Sequence, residues 1–154
     1  MHDELTHLGG STSYRYENPN PETLEVFPNP QPDSDFVIRL VATEFTSLCP
    51  ITGQPDYGSL IIDYIPNARC VESKSLKLYL VSYRNHGSFH ESCVNTIADD
   101  LNHLLEPKFL RIFGDFNPRG GIAIKPMVER IAPAMDRTRA MALIESYLQV
   151  VGAH

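Results

Sequence analysis

The apolar residues change period three times along the chain, and that succession limits the fold more than any other feature. From Phe36 to Phe45 they fall on alternate positions, Phe36, Ile38, Leu40 and Ala42, with Arg39 and Thr43 between them; Leu60, Ile62 and Tyr64 repeat the alternation before Pro66. A two-residue period turns one face of a strand toward a core. Leu76, Tyr79, Leu80 and Tyr83 then recur at helical spacing, as do Val94, Ile97, Ala98, Leu101, Leu104 and Leu105 ahead of Pro107. Residues 109 to 116 and 122 to 128 read as a second strand pair across Asn117-Pro118-Arg119-Gly120-Gly121, and 136 to 150 suit a last helix. The predicted order, ββααββ followed by a helical tail, is an α+β arrangement with one antiparallel sheet under two helices. Its outer strands need a partner or a cover, and closing several copies into a barrel is one solution.

At 154 residues and 17.3 kDa the chain can bury one real core but has no room for a separate dinucleotide-binding domain. We divide it into an extended N-terminal arm over 1–34, a central domain over 35–131 and a C-terminal helix or tail over 132–154. Pro19, Pro21, Pro28, Pro30 and Pro32, set among Asn, Ser and Asp, predict an arm without a packed element, wrapped on the domain or on a neighbour. The net charge of −6 argues against general nucleic-acid binding, which requires a basic face to displace counterions, and favours a small-molecule partner. Cys49, Cys70 and Cys93 form no Cys-x-x-Cys pair, so neither a disulfide framework nor a zinc ribbon is read from them. There is no apolar run of about 18 residues, and His2, Asp3 and Glu4 stand where an export signal would be basic and then apolar. A soluble, cytoplasmic protein with reduced thiols and no membrane contact is the expectation.

Chemistry concentrates on Ser47-Leu48-Cys49-Pro50-Ile51-Thr52-Gly53-Gln54-Pro55-Asp56, between the first two predicted strands. A thiol held on a turn beside a single acid is equipped for covalent attack followed by proton delivery. Cys49 is the candidate nucleophile and Asp56 the candidate acid. A thiolate beside a carboxylate disfavours double ionisation, so the two are expected to titrate together. Taken alone, a turn cysteine is more often a bystander than a nucleophile, and Asp56 after Pro55, without Cys49, reads better as a turn stabiliser.

Further clusters follow in sequence. Glu72-Ser73-Lys74-Ser75-Leu76-Lys77-Leu78-Tyr79 continues to Ser82-Tyr83-Arg84; Phe89-His90-Glu91 opens the second helical run; Pro118-Arg119-Gly120-Gly121 makes a turn. In this order, behind the Cys49 loop, they resemble the QueF family, the NADPH-dependent nitrile reductases of queuosine biosynthesis, in its short single-domain form. The similarity runs from about Phe36 to Ile124, and its most specific part is the Glu-Ser-Lys-Ser-Leu-Lys-Leu-Tyr run.

The resemblance implies the tunnelling fold (T-fold), in which ββααββ subunits close into oligomeric barrels, commonly a homo-oligomeric decamer of two rings with sites between chains. It makes 35–131 the catalytic domain. It implies reduction of 7-cyano-7-deazaguanine (preQ0) to the aminomethyl product (preQ1), on the way to a tRNA modification, with two NADPH as co-substrate, no metal and no direct contact with nucleic acid. Cys49 would add to the nitrile carbon to form a thioimide that hydride can reduce, while Asp56 protonates nitrogen. Glu91 is the expected anchor for the base, since a carboxylate offers two acceptors in one plane. His90 joins it, and Val71, Glu72 and Ser73 line the substrate pocket. Lys74, Lys77 and Arg84, with Arg119, Gly120 and Gly121, are the expected cofactor side, offering cations and approachable backbone N–H groups to phosphate. Cys93, two residues after Glu91, is expected to meet Cys49 as a reversible disulfide on oxidation. Cys70 is read as a packing residue, and His86 and His103 as surface residues.

Other readings stay open at this point. Glu72 to Ser75 suits a helix start, and Lys74 and Lys77 suit a solvated helix face. A related archaeal amidinotransferase forms the same thioimide but acts on preQ0-modified tRNA without NADPH. A zinc-dependent cyclohydrolase of the same fold would need Cys49, His90 and Cys93 as ligands, and a small binding module would need no reactive thiol.

Overall fold

The computed structural model describes residues 5–7 and 9–152. His2, Asp3 and Glu4, on which the reading against an export signal rests, lie outside the described residues. The elements are β1 (Val26–Pro28), β2 (Ile38–Leu48), β3 (Pro55–Ile65), β4 (Arg69–Val71), α1 (Ser73–Val81), α2 (His90–Leu105), β5 (Phe109–Phe116), β6 (Met127–Ile131) and α3 (Arg137–Val151). An antiparallel sheet takes the order β2-β3-β5-β6. In its centre Ile62 pairs with Ile112 and Tyr64 with Leu110, and this face packs on Leu76 and Tyr79 of α1 and on Val94, Ile97 and Leu101 of α2. The two-residue and helical periods therefore meet in one core, with those residues buried. Gly114 lets α2 come this close: a Cβ there would stand 2.9 Å from the Val94 side chain and 2.7 Å from the Phe116 ring.

The opposite face is built on charge. Asp63 of β3, 1% exposed, accepts two hydrogen bonds from Arg39 of β2, at 2.7 and 2.9 Å, and one from Arg111 of β5 at 2.9 Å. α3 covers part of this face. Its Tyr147 ring lies 5.4 Å from the Arg39 guanidinium carbon, and Ala140 and Ile144 pack on Ile65 and Phe109. Asp136 caps α3, accepting from the Thr138 N–H at 3.2 Å.

Two expectations need correction. The arm does hold packed structure: β1 pairs antiparallel with β4, and Leu24 and Asn29 on either side of β1 are buried. The last strand begins at Met127 and ends at Ile131, later than the alternation suggested. Arg119 and Ile122 bond to each other across a tight turn, which occupies the Ile122 backbone, and Pro126 brings no N–H; pairing with β5 starts from the Pro126 carbonyl, which accepts from Gly114. Among the described residues no helix is long and apolar enough to cross a membrane.

Candidate active site

Cys49 stands at the end of β2 on a loop closed by its own backbone. Its N–H donates to the Gln54 carbonyl at 2.8 Å and its carbonyl accepts from Gly53 at 2.9 Å; Gly53 has φ +69°, a left-handed value that glycine adopts freely. Residues 86–88 lie against the same strand end, with Leu48 N–H donating to His86 and Ser88 N–H donating to Leu48. Gly87 passes so near that a Cβ would sit 3.3 Å from Pro50 Cα. This docking brings the first turn of α2, and His90 with it, beside the Cys49 loop.

The thiol is 8% exposed and surrounded by donors. The Thr52 hydroxyl, the Thr52 and Ile51 backbone N–H groups and, beyond them, the Arg119 guanidinium lower its pKa from 9.0 to about 7, against an opposing desolvation cost. Burial raises the pKa of both Cys70 and Cys93. All three thiols are free, so Cys49 is the one drawn toward thiolate near neutral pH. Its shift is opposite in sign to the effect expected from a neighbouring carboxylate alone, because the donors and the cation outweigh desolvation. Thr52 was missed in the sequence, although a hydroxyl three residues past the cysteine, before a turn glycine, was a readable sign.

Asp56 is 3% exposed and sits on β3 directly across from Ser47 of β2. Arg119 Nε approaches its Oδ1 at 2.9 Å and His90 Nε2 its Oδ2 at 3.8 Å. His90 is held in place by Phe116, the two rings meeting edge to face with centroids 4.1 Å apart. Thus Cys49, Asp56, His90 and Arg119 come together from four separate elements. A pocket of about 260 Å³ opens beside them, lined by His90, Asn117, Arg119, Ile122 and Ile124.

The remaining candidates lie along α1 and at the start of α2. Glu72 is buried and its two carboxylate oxygens accept from the Lys74 and Ser75 N–H groups, each at 2.8 Å, which is the helix-start role. Val71 is buried, its N–H donating to the Tyr64 hydroxyl at 3.3 Å, and Ser73 is exposed. Glu91 faces solvent, and among the described residues its carboxylate accepts no hydrogen bond. A groove of about 1030 Å³ runs from Ser73, Lys77 and Arg84 to Leu48, Pro55 and Asn117, and Asn117 also lines the smaller pocket. Lys77 meets only the Tyr14 hydroxyl, at 3.4 Å, and its ring, while Arg84 lies over the Tyr16 ring; neither has a carboxylate partner among the described residues. Lys74 differs, since its ammonium donates to the His7 and Gly10 carbonyls of the arm. Gly120 and Gly121, at φ +57° and +79°, form the turn that carries Arg119. Among the described residues no group of three or more His, Cys, Asp and Glu, Cys49, His90 and Cys93 included, is arranged to hold a metal ion.

Sheet order and helix placement define a protein of the tunnelling fold. A solved apo structure of an archaeosine synthase QueF-Like shares the fold, with TM-score 0.59 over 64% of this chain and 97% of that one, at 21% sequence identity. The chain belongs to the QueF family: the model described as QueF-like protein matches residues 55–135. A protein of Helicobacter pylori strain Shi470 named NADPH-dependent 7-cyano-7-deazaguanine reductase is 63% identical over 128 residues, covering 83% of this chain and 87% of its own length. The Streptococcus thermophilus protein of the same name is 58% identical over 123 residues, 79% of this chain and 75% of that protein.

Proposed function

We propose that the chain is an NADPH-dependent 7-cyano-7-deazaguanine reductase that converts the nitrile to an aminomethyl group through a covalent adduct on Cys49. The observation that carries the reading is the contrast among the thiols: Cys49 is pulled to about 7 beside Asp56 and His90, while Cys70 and Cys93 are pushed up by burial. A nitrile carbon resists hydride directly. Addition of the Cys49 thiolate forms an S–C bond and breaks one C≡N π bond; the electron pair goes to nitrogen, which takes a proton from Asp56. Bound NADPH supplies hydride, twice per turnover. After the first reduction Cys49 leaves and returns to the thiolate, and the enclosed site keeps water from the imine so that it does not hydrolyse.

His90 orients Asp56, and Glu91 accepts from the ring N–H and exocyclic amino group of the base. The pocket of about 260 Å³ is smaller than the roughly 300 Å³ at which ligand pockets usually begin. A second copy of the chain completes it, with Val71, Glu72 and Ser73 adding main-chain and side-chain contacts. The cofactor lies in the long groove, where Lys77 and Arg84 lack a counter-charge; Lys74, Arg119, Gly120 and Gly121 extend that side. Such sharing between neighbours accords with a homo-oligomeric barrel, and we place the protein in the cytoplasm with its substrate. On oxidation by peroxide we expect Cys49 and Cys93 to close a disulfide, so free-thiol counting should lose both together; loss of Cys49 alone contradicts the pairing.

Consumption of NADPH on mixing enzyme with preQ0, in the stoichiometry of two per amine formed, is the direct test. Adduct formation with no oxidation of NADPH would instead indicate transfer chemistry of the amidinotransferase kind.

A further inference from the structure

We propose that Arg119 is the counter-ion of the covalent step, holding negative charge first on the Cys49 sulfur and then on the Asp56 carboxylate as the charge passes between them. The inference rests on the nitrile-addition reading above and goes beyond it, because that reading places Arg119 with the cofactor.

Arg119 Nε is 2.9 Å from Asp56 Oδ1, a buried oxygen that receives no aligned hydrogen bond among the described residues. The same guanidinium is also, after Thr52 and Ile51, among the groups that lower the Cys49 pKa. Asp56 is otherwise faced by His90 at 3.8 Å and acts on the Cys93 thiol, whose pKa it helps to raise; Cys49 is faced by the Thr52 and Ile51 donors. Arg119 is therefore the one full cation shared by the nucleophile and the acid among the described residues. Its backbone is fixed by the tight turn, with Arg119 and Ile122 exchanging N–H···O bonds at 3.0 Å in both directions. It lines the small pocket, and it does not line the groove that holds Lys77 and Arg84.

The electron count explains the need. In the addition proposed above the sulfur gives its electron pair to the S–C bond and becomes neutral, nitrogen takes the proton, and the carboxylate of Asp56 is left with the negative charge. No net charge appears, but one moves from Sγ to a carboxylate oxygen between two buried residues, where poorly screened displacement is costly. A planar guanidinium with several N–H groups can touch both ends of that path, whereas an ammonium is a single point charge.

The test follows thioimide formation with preQ0 in the absence of NADPH, so that cofactor binding does not enter. Arg119→Ala is expected to slow adduct formation by about 100- to 1000-fold, the usual loss for one preorganised charge-stabilising donor, and Arg119→Lys to recover only part of it. The pH midpoint of Cys49 alkylation by iodoacetamide should rise in Arg119→Ala by up to about 1 unit. Both variants forming the adduct at the wild-type rate with an unmoved alkylation midpoint, and only a raised KM for NADPH, would overturn the proposal and leave Arg119 to the cofactor. A wild-type protein that makes no adduct at all sinks the nitrile reading instead; alkylation midpoints that are then equal in wild type and Arg119→Ala overturn the counter-ion role as well.

Discussion

Reactivity at Cys49 is set by what touches one sulfur atom. Thr52 contributes most to lowering its pKa to about 7, so thiolate is lost as pH falls through that value and is nearly complete above it. Cys49 alkylation, and adduct formation with it, should therefore rise with a midpoint near pH 7; Thr52→Val should move the midpoint upward, toward the ordinary thiol value of 9.0. A midpoint that stays in place in Thr52→Val would contradict the assigned cause. At this scale the sequence was half legible. Cys49 and Asp56 could be picked out as candidates because they stand close together in sequence, whereas Arg119 meeting Asp56 depends on two segments 63 positions apart being brought together by β3 and the turn after β5. Glu72 was legible in both its readings, and the fold uses it as a cap.

Elements were readable where their periods were long and bounded. Residues 109 to 116 form β5 as expected, an alternating run fenced by Pro107 and by Asn117-Pro118. β1 was not readable, since three residues hold no period and only pairing with β4 makes them a strand. α1 carries two separable jobs, which variants can part. Glu72→Ala removes the acceptor of two helix N–H groups and should cost about 0.5–2 kcal/mol in urea unfolding, with a matching loss of α1 order. Lys77→Ala, on the exposed face, should leave unfolding unchanged and raise KM for NADPH with kcat for bound substrate preserved; a lowered midpoint of unfolding would return Lys77 to a structural role.

The whole molecule is a sheet with a core on one face and a charge-anchored helix on part of the other. Asp63 between Arg39 and Arg111 ties three strands together beneath α3. Asp63→Asn would leave two guanidinium groups facing each other without an anion and should destabilise the fold by about 3–5 kcal/mol, measured by denaturant unfolding; a loss near zero would mean that water already screens the triad. Beyond α3, Val41, Met127 and Ile131 remain 54%, 57% and 43% exposed on this face, and β2 and β6 remain as edges. Association of copies would cover them, so light scattering should give a multiple of 17.3 kDa and Val41→Glu a smaller species with reduced turnover. The measurement that bears most directly on the account is intact protein mass after adding preQ0 without NADPH. The wild-type chain should gain the mass of one substrate and Cys49→Ala none; an unchanged wild-type mass, or an equal gain in Cys49→Ala, would contradict a nitrile bound through this sulfur.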